Sequence, residues 1–403
     1  MGTPNQEQPA YTHATYAHII GWGMAVPDTV MTNDDLSAFV ETNDEWIVSR
    51  TGIRERRIAS EKESTATLAL KAAQRALDVA DILPIELDMI IVATSTAEYV
   101  FPSTASIIQN WLGASRAGAF DMSAACSGFV YGVNMAAQAI RSRSIHTALV
   151  IGSETMSRIL DWQDRSTCIL FGDGAGAVVM RASNIPGGVL SSVLRSDGAG
   201  WDVLCVPSIG SRDLDGSEIE PNGHKPYRMF MDGPEVYKFA TRVVSDSVSQ
   251  AVSDAGLTMD DIKLIVPHQA NLRIITSAAR ALKIDESRFM VNLDRYGNTS
   301  AASIPIALTE AVQQGRIVEN DYIVFVGFGG GLAWGSMVVK WGAPKPKEEE
   351  RALLKSQRRQ LSYSLASLRS RWRRWIKALN EFFARLSPGR GRMARLRDRV
   401  DKL

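Results

Sequence analysis

Gly118-Ala119-Phe120-Asp121, followed by Ser123-Ala124-Ala125-Cys126-Ser127-Gly128, reads as a short β run, a turn of small residues and the opening of a helical pattern. The same order returns later. There Phe289-Met290-Val291-Asn292-Leu293 precedes Tyr296-Gly297-Asn298-Thr299-Ser300-Ala301-Ala302, again ahead of a helical pattern. The flanks also match. Met89-Ile90-Ile91-Val92-Ala93 and Lys263-Leu264-Ile265-Val266-Pro267 come before; Ala148-Leu149-Val150-Ile151-Gly152 and Tyr322-Ile323-Val324-Phe325-Val326-Gly327 come after. A glycine-rich return strand closes each set, one from Gly172 to Val179 and one from Gly329-Gly330-Gly331 to Val339. Short β-rich runs alternating with longer helical patterns predict an α/β fold. The repeated order predicts an internal duplication, with Cys126 and Asn298 at equivalent positions across a pseudo-twofold axis.

The chain of 403 residues is 45% hydrophobic and 22% charged, which excludes a disordered or collagen-like protein and allows a sizeable core. Cys126, Cys168 and Cys205 are the only cysteines, an odd and sparse set that argues against a disulfide scaffold and suits a reducing cytoplasm. No apolar run reaches the roughly 18 residues of a membrane span. Met1 to His18 lacks the apolar stretch of a secretion signal. The near-zero net charge hides an asymmetry. Residues 343–403 carry 18 basic and 6 acidic side chains, against 27 and 38 in the rest. Such a split marks an appended segment with its own partner. With Pro344-Lys345-Pro346-Lys347-Glu348-Glu349-Glu350 as a linker, the expected organisation is a polar leader 1–17, an N-terminal half 18–185, a C-terminal half 186–342 and an extension 343–403.

Cys126 follows a strand and opens a helix of small residues. The unpaired N–H groups and partial positive charge of a helix start favour a thiolate there, a competent nucleophile for acyl transfer. The alternative is a buried, inert thiol, the reading given to Cys168 and Cys205. Of the five histidines, His13 and His18 lie in or at the edge of the leader, His146 precedes a strand and His224 lies in a polar loop. His268, in Val266-Pro267-His268-Gln269-Ala270-Asn271, ends an apolar strand, where α/β proteins place reactive groups. Asn298 taken singly is a helix cap; beside a cysteine and a histidine it becomes a hydrogen-bond donor to substrate. His268 has no Cys or His close by in sequence, so metal binding is not expected.

Six motifs carry a resemblance. They are Asp44-Glu45-Trp46-Ile47-Val48-Ser49-Arg50-Thr51-Gly52-Ile53-Arg54-Glu55-Arg56-Arg57, Ala124-Ala125-Cys126-Ser127-Gly128-Phe129, Phe171-Gly172-Asp173-Gly174-Ala175-Gly176, Val266-Pro267-His268-Gln269-Ala270-Asn271-Leu272-Arg273, Gly297-Asn298-Thr299-Ser300-Ala301-Ala302-Ser303 and Phe328-Gly329-Gly330-Gly331. In that order they resemble β-ketoacyl-acyl-carrier-protein synthase III, the condensing enzyme that initiates type II fatty-acid synthesis, across essentially all of 18–342. The resemblance implies a thiolase fold, two similar halves in a five-layered α-β-α-β-α body, and a homodimer in the cytoplasm. It implies that Cys126 takes the primer acyl group, that His268 and Asn298 bind the malonyl thioester carbonyl, and that the N–H groups of Cys126 and Gly330 form an oxyanion hole. Coenzyme A enters as a thioester substrate, with no resident cofactor and no metal. Trp46 and Arg165 would sandwich its adenine, and Thr42, Arg50 and Asn271 would contact it. Lys238, Arg273 and Arg280 would form the basic patch for the acyl carrier protein. Phe101 would reach across the dimer and bound the primer pocket. Two other functions stay open: a paralogue loading an unusual primer for secondary-metabolite or polyketide synthesis, and a non-catalytic scaffold tethered by its basic tail.

The extension departs from that family. Leu361, Leu365, Leu368, Trp372, Trp375, Leu379, Phe382 and Leu386 recur at alternating steps of four and three, one stripe of a helix that Ser387-Pro388-Gly389 ends. Arg369, Arg371, Arg373, Arg374, Lys377 and Arg385 flank the stripe, and Phe383 stands beside it. Three partners fit: an anionic membrane surface, the acidic body of the protein itself, or a short coiled-coil seam. Nucleic acid is not expected, because it would leave the apolar face exposed.

Overall fold

The computed structural model describes residues 15–207, 227–342 and 349–386. Most of the leader, His13, His224, linker residues 343–348 and Ser387-Pro388-Gly389 lie outside the described residues. Two sheets organise the body. The first holds β1 (Tyr16–Ala25), β4 (Met89–Ala93), β5 (Gly118–Met122), β6 (Thr147–Thr155) and β7 (Asp173–Ser183) in the order β1-β7-β6-β4-β5. β4 runs parallel to β5 and β6, and β7 runs antiparallel to β6 and β1. The second sheet holds β8 (Gly188–Ser196), β11 (Ile262–Pro267), β12 (Tyr322–Gly329) and β13 (Ala333–Lys340) in the order β11-β12-β13-β8. Its parallel and antiparallel pairings match those of the first strand for strand. Two small pairs stand apart, β2 (Val30–Thr32) with β3 (Glu55–Arg57) and β9 (Leu204–Cys205) with β10 (Phe230–Met231).

The second sheet lacks a counterpart to β5. The strand expected at 289–293 is reduced to one bridge between Phe289 and Ile265. Met290 N–H still donates to Ile265 O at 2.8 Å, but the next donor inward, Asn292 N–H, goes to the buried side chain of Gln269 at 3.0 Å. The chain then turns into helix directly, so pairing stops after a single step.

Helices fill the layers around the sheets. α1 (Asn33–Leu36), α2 (Asp44–Thr51) and α8 (Leu293–Tyr296) are short connectors. α3 (Thr65–Ala80) and α4 (Thr104–Leu112) cover the outer face of the first sheet, where Leu68, Ala72, Ala76 and Ile108 pack on Ile90, Val92 and Val179. α5 (Gly128–Arg141) and α9 (Ser303–Gln313) lie between the sheets, with Phe129, Val133, Ile304 and Leu308 packing on Val150, Val178, Val266 and Phe325. α6 (Gly233–Asp254) and α7 (Leu272–Leu282) cover the outer face of the second sheet. The result is a five-layered thiolase-like body. α9 is buried along nearly its whole length because apolar sheets lie on both sides, and its Glu310 is buried only with Arg295 at 2.7 Å and further bonds from Asn292 and Tyr296.

The middle helices are entered through matching turns. The tight turns Ala125–Ser127 and Ser300–Ala302 precede α5 and α9, and each begins on a residue at positive φ, Ala125 at 44° and Ser300 at 48°. Aligning these two residues pairs Cys126 with Ala301. The equivalence expected for Cys126 and Asn298 is therefore off by three positions: Asn298 sits on the approach to its turn, not in it. The same offset pairs Gly152 of β6 with Gly327 of β12. A Cβ on Gly152 would meet Ala301 O at 2.1 Å, and one on Gly327 would meet Cys126 O at 3.2 Å. Each half thus presses a bare strand backbone onto the other half's turn.

The last helix, α10 (Glu349–Leu386), docks on the first half. Arg359 is buried, donating from Nε to Asp78 at 2.8 Å and from Nη1 to Asp81 at 3.0 Å, at the C-terminal end of α3, where a cation is favoured. Tyr363 joins the core beneath α3 and α4, and Ala366 closes over Gly113.

Gly152→Ala tests the crossed packing. The backbone carbonyl in its way has no flexible side chain to yield, so the substitution should cost about 3 kcal/mol or more of unfolding free energy in a denaturant titration. Stability equal to the parent would show that β6 and the 300–302 turn are not in contact.

Candidate active site

Cys126 stands where two cavities meet. One runs past His268, Asn298 and Gly329 toward Trp46, Arg165 and Asn271; the other is lined by Met156, Ile159, Leu204, Met229, Ser300 and Gly330. The backbone of Gly329 passes so near the nucleophile that a Cβ there would sit 2.9 Å from Cys126 N and 3.1 Å from Sγ. A side chain there would collide with the Cys126 backbone, so the position calls for glycine.

The thiol does not follow the sequence expectation. A helix start favours the thiolate, but Cys126 is buried, and burial pushes its pKa up to about 12, with the charge of Glu154 adding to the rise and a hydrogen bond with Ser300 opposing it. The resting group is therefore a thiol. Ser300 Oγ also donates to Glu154, at 3.0 Å. Cys168 is likewise pushed up to about 11, chiefly by burial.

Glu154 is the group that sequence reading missed. Fully buried at the end of β6, its carboxylate collects Thr94 Oγ1 at 3.2 Å, Ser95 N–H at 3.0 Å, Thr96 N–H at 3.1 Å, Thr96 Oγ1 at 2.5 Å and Ser300 Oγ. Its pKa is raised, because burial outweighs the lowering by these donors. A signal existed in Ser153-Glu154-Thr155: an acid continuing an apolar strand needs buried partners.

His268 follows β11, fixed by its own N–H donating to Val326 O at 2.8 Å and by edge-on packing against Phe328 at 5.2 Å between ring centroids. Burial lowers its pKa to about 3, so the ring is neutral across the physiological range. Asn298 is held from both sides of its peptide unit, N–H to Leu170 O at 2.8 Å and C=O from Gly172 N–H at 3.0 Å. Its Oδ1 accepts from Ser300 N–H at 2.8 Å. That bond fixes the amide orientation and leaves the NH2 group to the cavity. The cap-like role and the donor role thus occupy opposite ends of one side chain.

The chain matches the description 3-oxoacyl-[acyl-carrier-protein] synthase III over residues 120–198 and its C-terminal part over 252–341. It is 50% identical over 330 residues to the β-ketoacyl-[acyl-carrier-protein] synthase III of a Roseiflexus species, covering 82% of this chain and 100% of that relative. The chain belongs to the β-ketoacyl-acyl-carrier-protein synthase III family. It is an acyltransferase of the condensing type. The crystal structure of the Thermus thermophilus synthase III superposes with a TM-score of 0.76 at 44% identity, covering 81% of this chain and 100% of that one. The priming β-ketosynthase of a polyketide biosynthetic pathway gives 0.77 at 35% identity, over 85% of this chain and 100% of the other.

The other residues expected from the synthase III resemblance are placed unevenly. Trp46, Arg50, Arg165, Asn271 and Arg273 line the first cavity. Trp46 has the Arg50 and Arg165 guanidinium carbons 4.6 and 5.0 Å from its ring centroid. A flat base between Trp46 and Arg165 needs about 7 Å, two van der Waals separations, so Arg165 must swing outward to admit one. Asn271 is engaged as the cap of α7 and as a donor to Arg50 O at 3.0 Å. Thr42 is not among the cavity-lining residues; its hydroxyl is buried without a partner among the described residues. Lys238 on α6 and Arg280 on α7 are exposed and do not line the cavity, and Lys238 lies 3.8 Å from Glu235. Phe101 is 84% exposed, beside Tyr99 and Val100, and does not border this chain's own cavities. Arg56 and Asp173, from two of the family motifs, are internal struts. Arg56 donates to Asn33 and Ile169 O, and Asp173 accepts from Ala59 and Ser157.

Iodoacetamide labelling of Cys126, followed by peptide mass spectrometry, should therefore climb with pH through the alkaline range without a plateau near neutrality. Glu154→Gln should move the climb to lower pH, since its charge holds the thiol up. A plateau below pH 8 in the parent would show the helix start overriding burial.

Proposed function

We propose a decarboxylative Claisen condensation of an acyl-coenzyme A primer with malonyl-acyl carrier protein, divided between the two halves of the molecule. The observation that carries it is the convergence of Cys126, His268 and Asn298 on one cavity that opens toward Trp46 and Arg165. In the first step Cys126 Sγ attacks the primer thioester, the bond to coenzyme A breaks, and the thiol proton leaves with the coenzyme A sulfur. Backbone N–H groups of Cys126 and Gly330 receive the oxyanion of each tetrahedral intermediate. In the second step the malonyl C–C bond breaks and CO2 departs. The electron pair left behind is an enolate, whose oxygen accepts from the Asn298 NH2 group and a ring N–H of His268. Its carbon attacks the acyl-cysteine, forming the new C–C bond and releasing the Cys126 thiolate, which regains a proton from solvent. Neutral donors suit this step, because they stabilise the charge as it develops without first pairing with the malonyl carboxylate. Coenzyme A and the carrier are substrates, and no resident cofactor or metal is invoked.

Further parts of the reading concern partners. Arg273 at the cavity mouth, with Lys238 and Arg280, suits an acidic acyl carrier protein. The exposed Tyr99-Val100-Phe101 loop and Phe120 on the edge strand β5 suit burial against a second copy, which would lend Phe101 to the neighbouring primer pocket. The likeness to a polyketide priming enzyme keeps an unusual primer as the second reading. Comparing acetyl, branched and medium-chain thioesters in single turnover separates the two.

Cys126→Ser should lose acyl transfer while keeping malonyl decarboxylation. Asn298→Ala should still form acyl-enzyme, but condensation should fall by roughly 10²-fold or more, the scale for one lost oxyanion donor. Normal condensation by Asn298→Ala would remove it from the mechanism. The decarboxylation retained by Cys126→Ser should also run flat as the pH falls through the ordinary histidine range near 6.5, because His268 stays neutral to about 3. Stability behaves otherwise. The unfolded chain takes up a proton near 6.5 and the folded ring does not, so this site's contribution is full above that value and is lost as the pH falls toward 3. A rate step centred near 6.5, with the fold intact by circular dichroism, would refute a neutral buried ring.

A further inference from the structure

The family match ends at 341, before α10. The helix has two stripes with the same four-three spacing. One is Arg359, Tyr363 and Ala366, each less than a tenth exposed against the body. The other runs Leu361, Leu365, Leu368, Trp372, Trp375 and Phe382, each between 56 and 64% exposed. The stripes are offset by two residues, about 200° around a helix. Docking on the body and the aromatic stripe therefore use opposite faces. The alternatives left open by the sequence are not exclusive: the helix docks, and docking turns the aromatic stripe outward.

We propose that this outward face of α10 is a binding surface for an anionic lipid bilayer. Three observations select this occupant. The stripe is apolar and aromatic along its length, with two Trp that suit the headgroup boundary. Glu381 is the single acid between 361 and 386, set against six Lys and Arg, and the whole extension carries 18 basic to 6 acidic side chains. That excess repels a second copy of the same segment and attracts an anionic surface. Finally, a cleft lined by Gln109, Ser115, Ser362 and Arg369 lies beside Leu365, so polar groups and a cation stand at the rim of the apolar stripe. No helix among the described residues is long and apolar enough to cross a membrane, so α10 lies on the bilayer with its axis in the surface. The cavities at Cys126 take no lining from α10, and the enzyme keeps its active site while held at the membrane.

Vesicle flotation with the full-length protein tests this. Vesicles of about one-third phosphatidylglycerol in phosphatidylcholine should carry the protein upward at low salt, pure phosphatidylcholine should not, and salt should release it. Trp372→Glu with Trp375→Glu should weaken flotation at least about tenfold. Those residues are mostly exposed and line neither cavity at Cys126, so thermal stability and condensation on free substrates should hold. Failure of the parent to float at low salt, or equal flotation of the double variant, overturns the proposal. So does a parent assembly that is larger in sedimentation than the double variant, which would assign the stripe to a second copy. A loss of acyl carrier protein affinity in the variant, with flotation unchanged, would assign it to the carrier.

Discussion

The active site depends on a reciprocal close approach between the two halves. Gly152 of β6 lies against Ala301, and Gly327 of β12 lies against Cys126, each a strand backbone pressed on the opposite turn. A side chain at Gly152 would collide with the Ala301 carbonyl, and one at Gly327 would crowd the Cys126 turn. Because the halves meet there, Gly329 can follow Gly327 directly over the nucleophile, and Ser300 can reach from the second half to Glu154 in the first. Cys126 comes from one half and His268 and Asn298 from the other, so the geometry of the proposed site is only as good as this contact. Two positive-φ turns, at Ala125 and Ser300, are held in conformations that non-glycine residues seldom adopt, and the surrounding packing is what holds them.

The three groups proposed for catalysis are all neutral at rest. Burial raises the Cys126 thiol and lowers the His268 ring, and Asn298 carries no charge. A site built this way has no fixed ion to neutralise the malonyl carboxylate before it leaves as CO2. On the thioester oxygen, by contrast, negative charge develops only toward the transition state. The carboxyl group nearest in influence to Cys126, that of Glu154, is surrounded by hydroxyl and amide donors from 94–96 and Ser300. Its charge is spent on ordering that loop and turn, not on the substrate. The cost is a less reactive resting thiol, which the helix start and the thioester's own leaving group must offset.

Much of this was legible in the sequence because the motifs are local. The strand–turn–helix unit around Cys126 could be read directly, as could the turn and helix that follow Asn298 and His268 at a strand end. What was not legible depends on long-range contact. The register of the duplication was misread by three residues because both turns are runs of small residues with no side-chain landmark. The strand at 289–293 had the right composition and failed because Gln269 claims its backbone donor. The Cys126 titration was misjudged because helix polarity is visible in a sequence and depth of burial is not. Glu154 acts through partners up to 146 residues away, and nothing in its neighbours announces Ser300.

The extension shows the same limit from the other side. Its apolar stripe is a long and regular periodic signal, and periodicity usually marks the buried face. Here the buried stripe contains an arginine, a tyrosine and an alanine, which no hydrophobic pattern would select. It is legible only through Asp78 and Asp81, which end α3 and wait for a cation. Once Arg359 satisfies them, helical geometry leaves little choice. A residue two positions on points almost directly away from the body, and every member of the aromatic stripe stands two positions on from the docking stripe or its continuation. The ion pairs on one face thus fix the direction of the other, and the body sets how the basic, aromatic surface is presented.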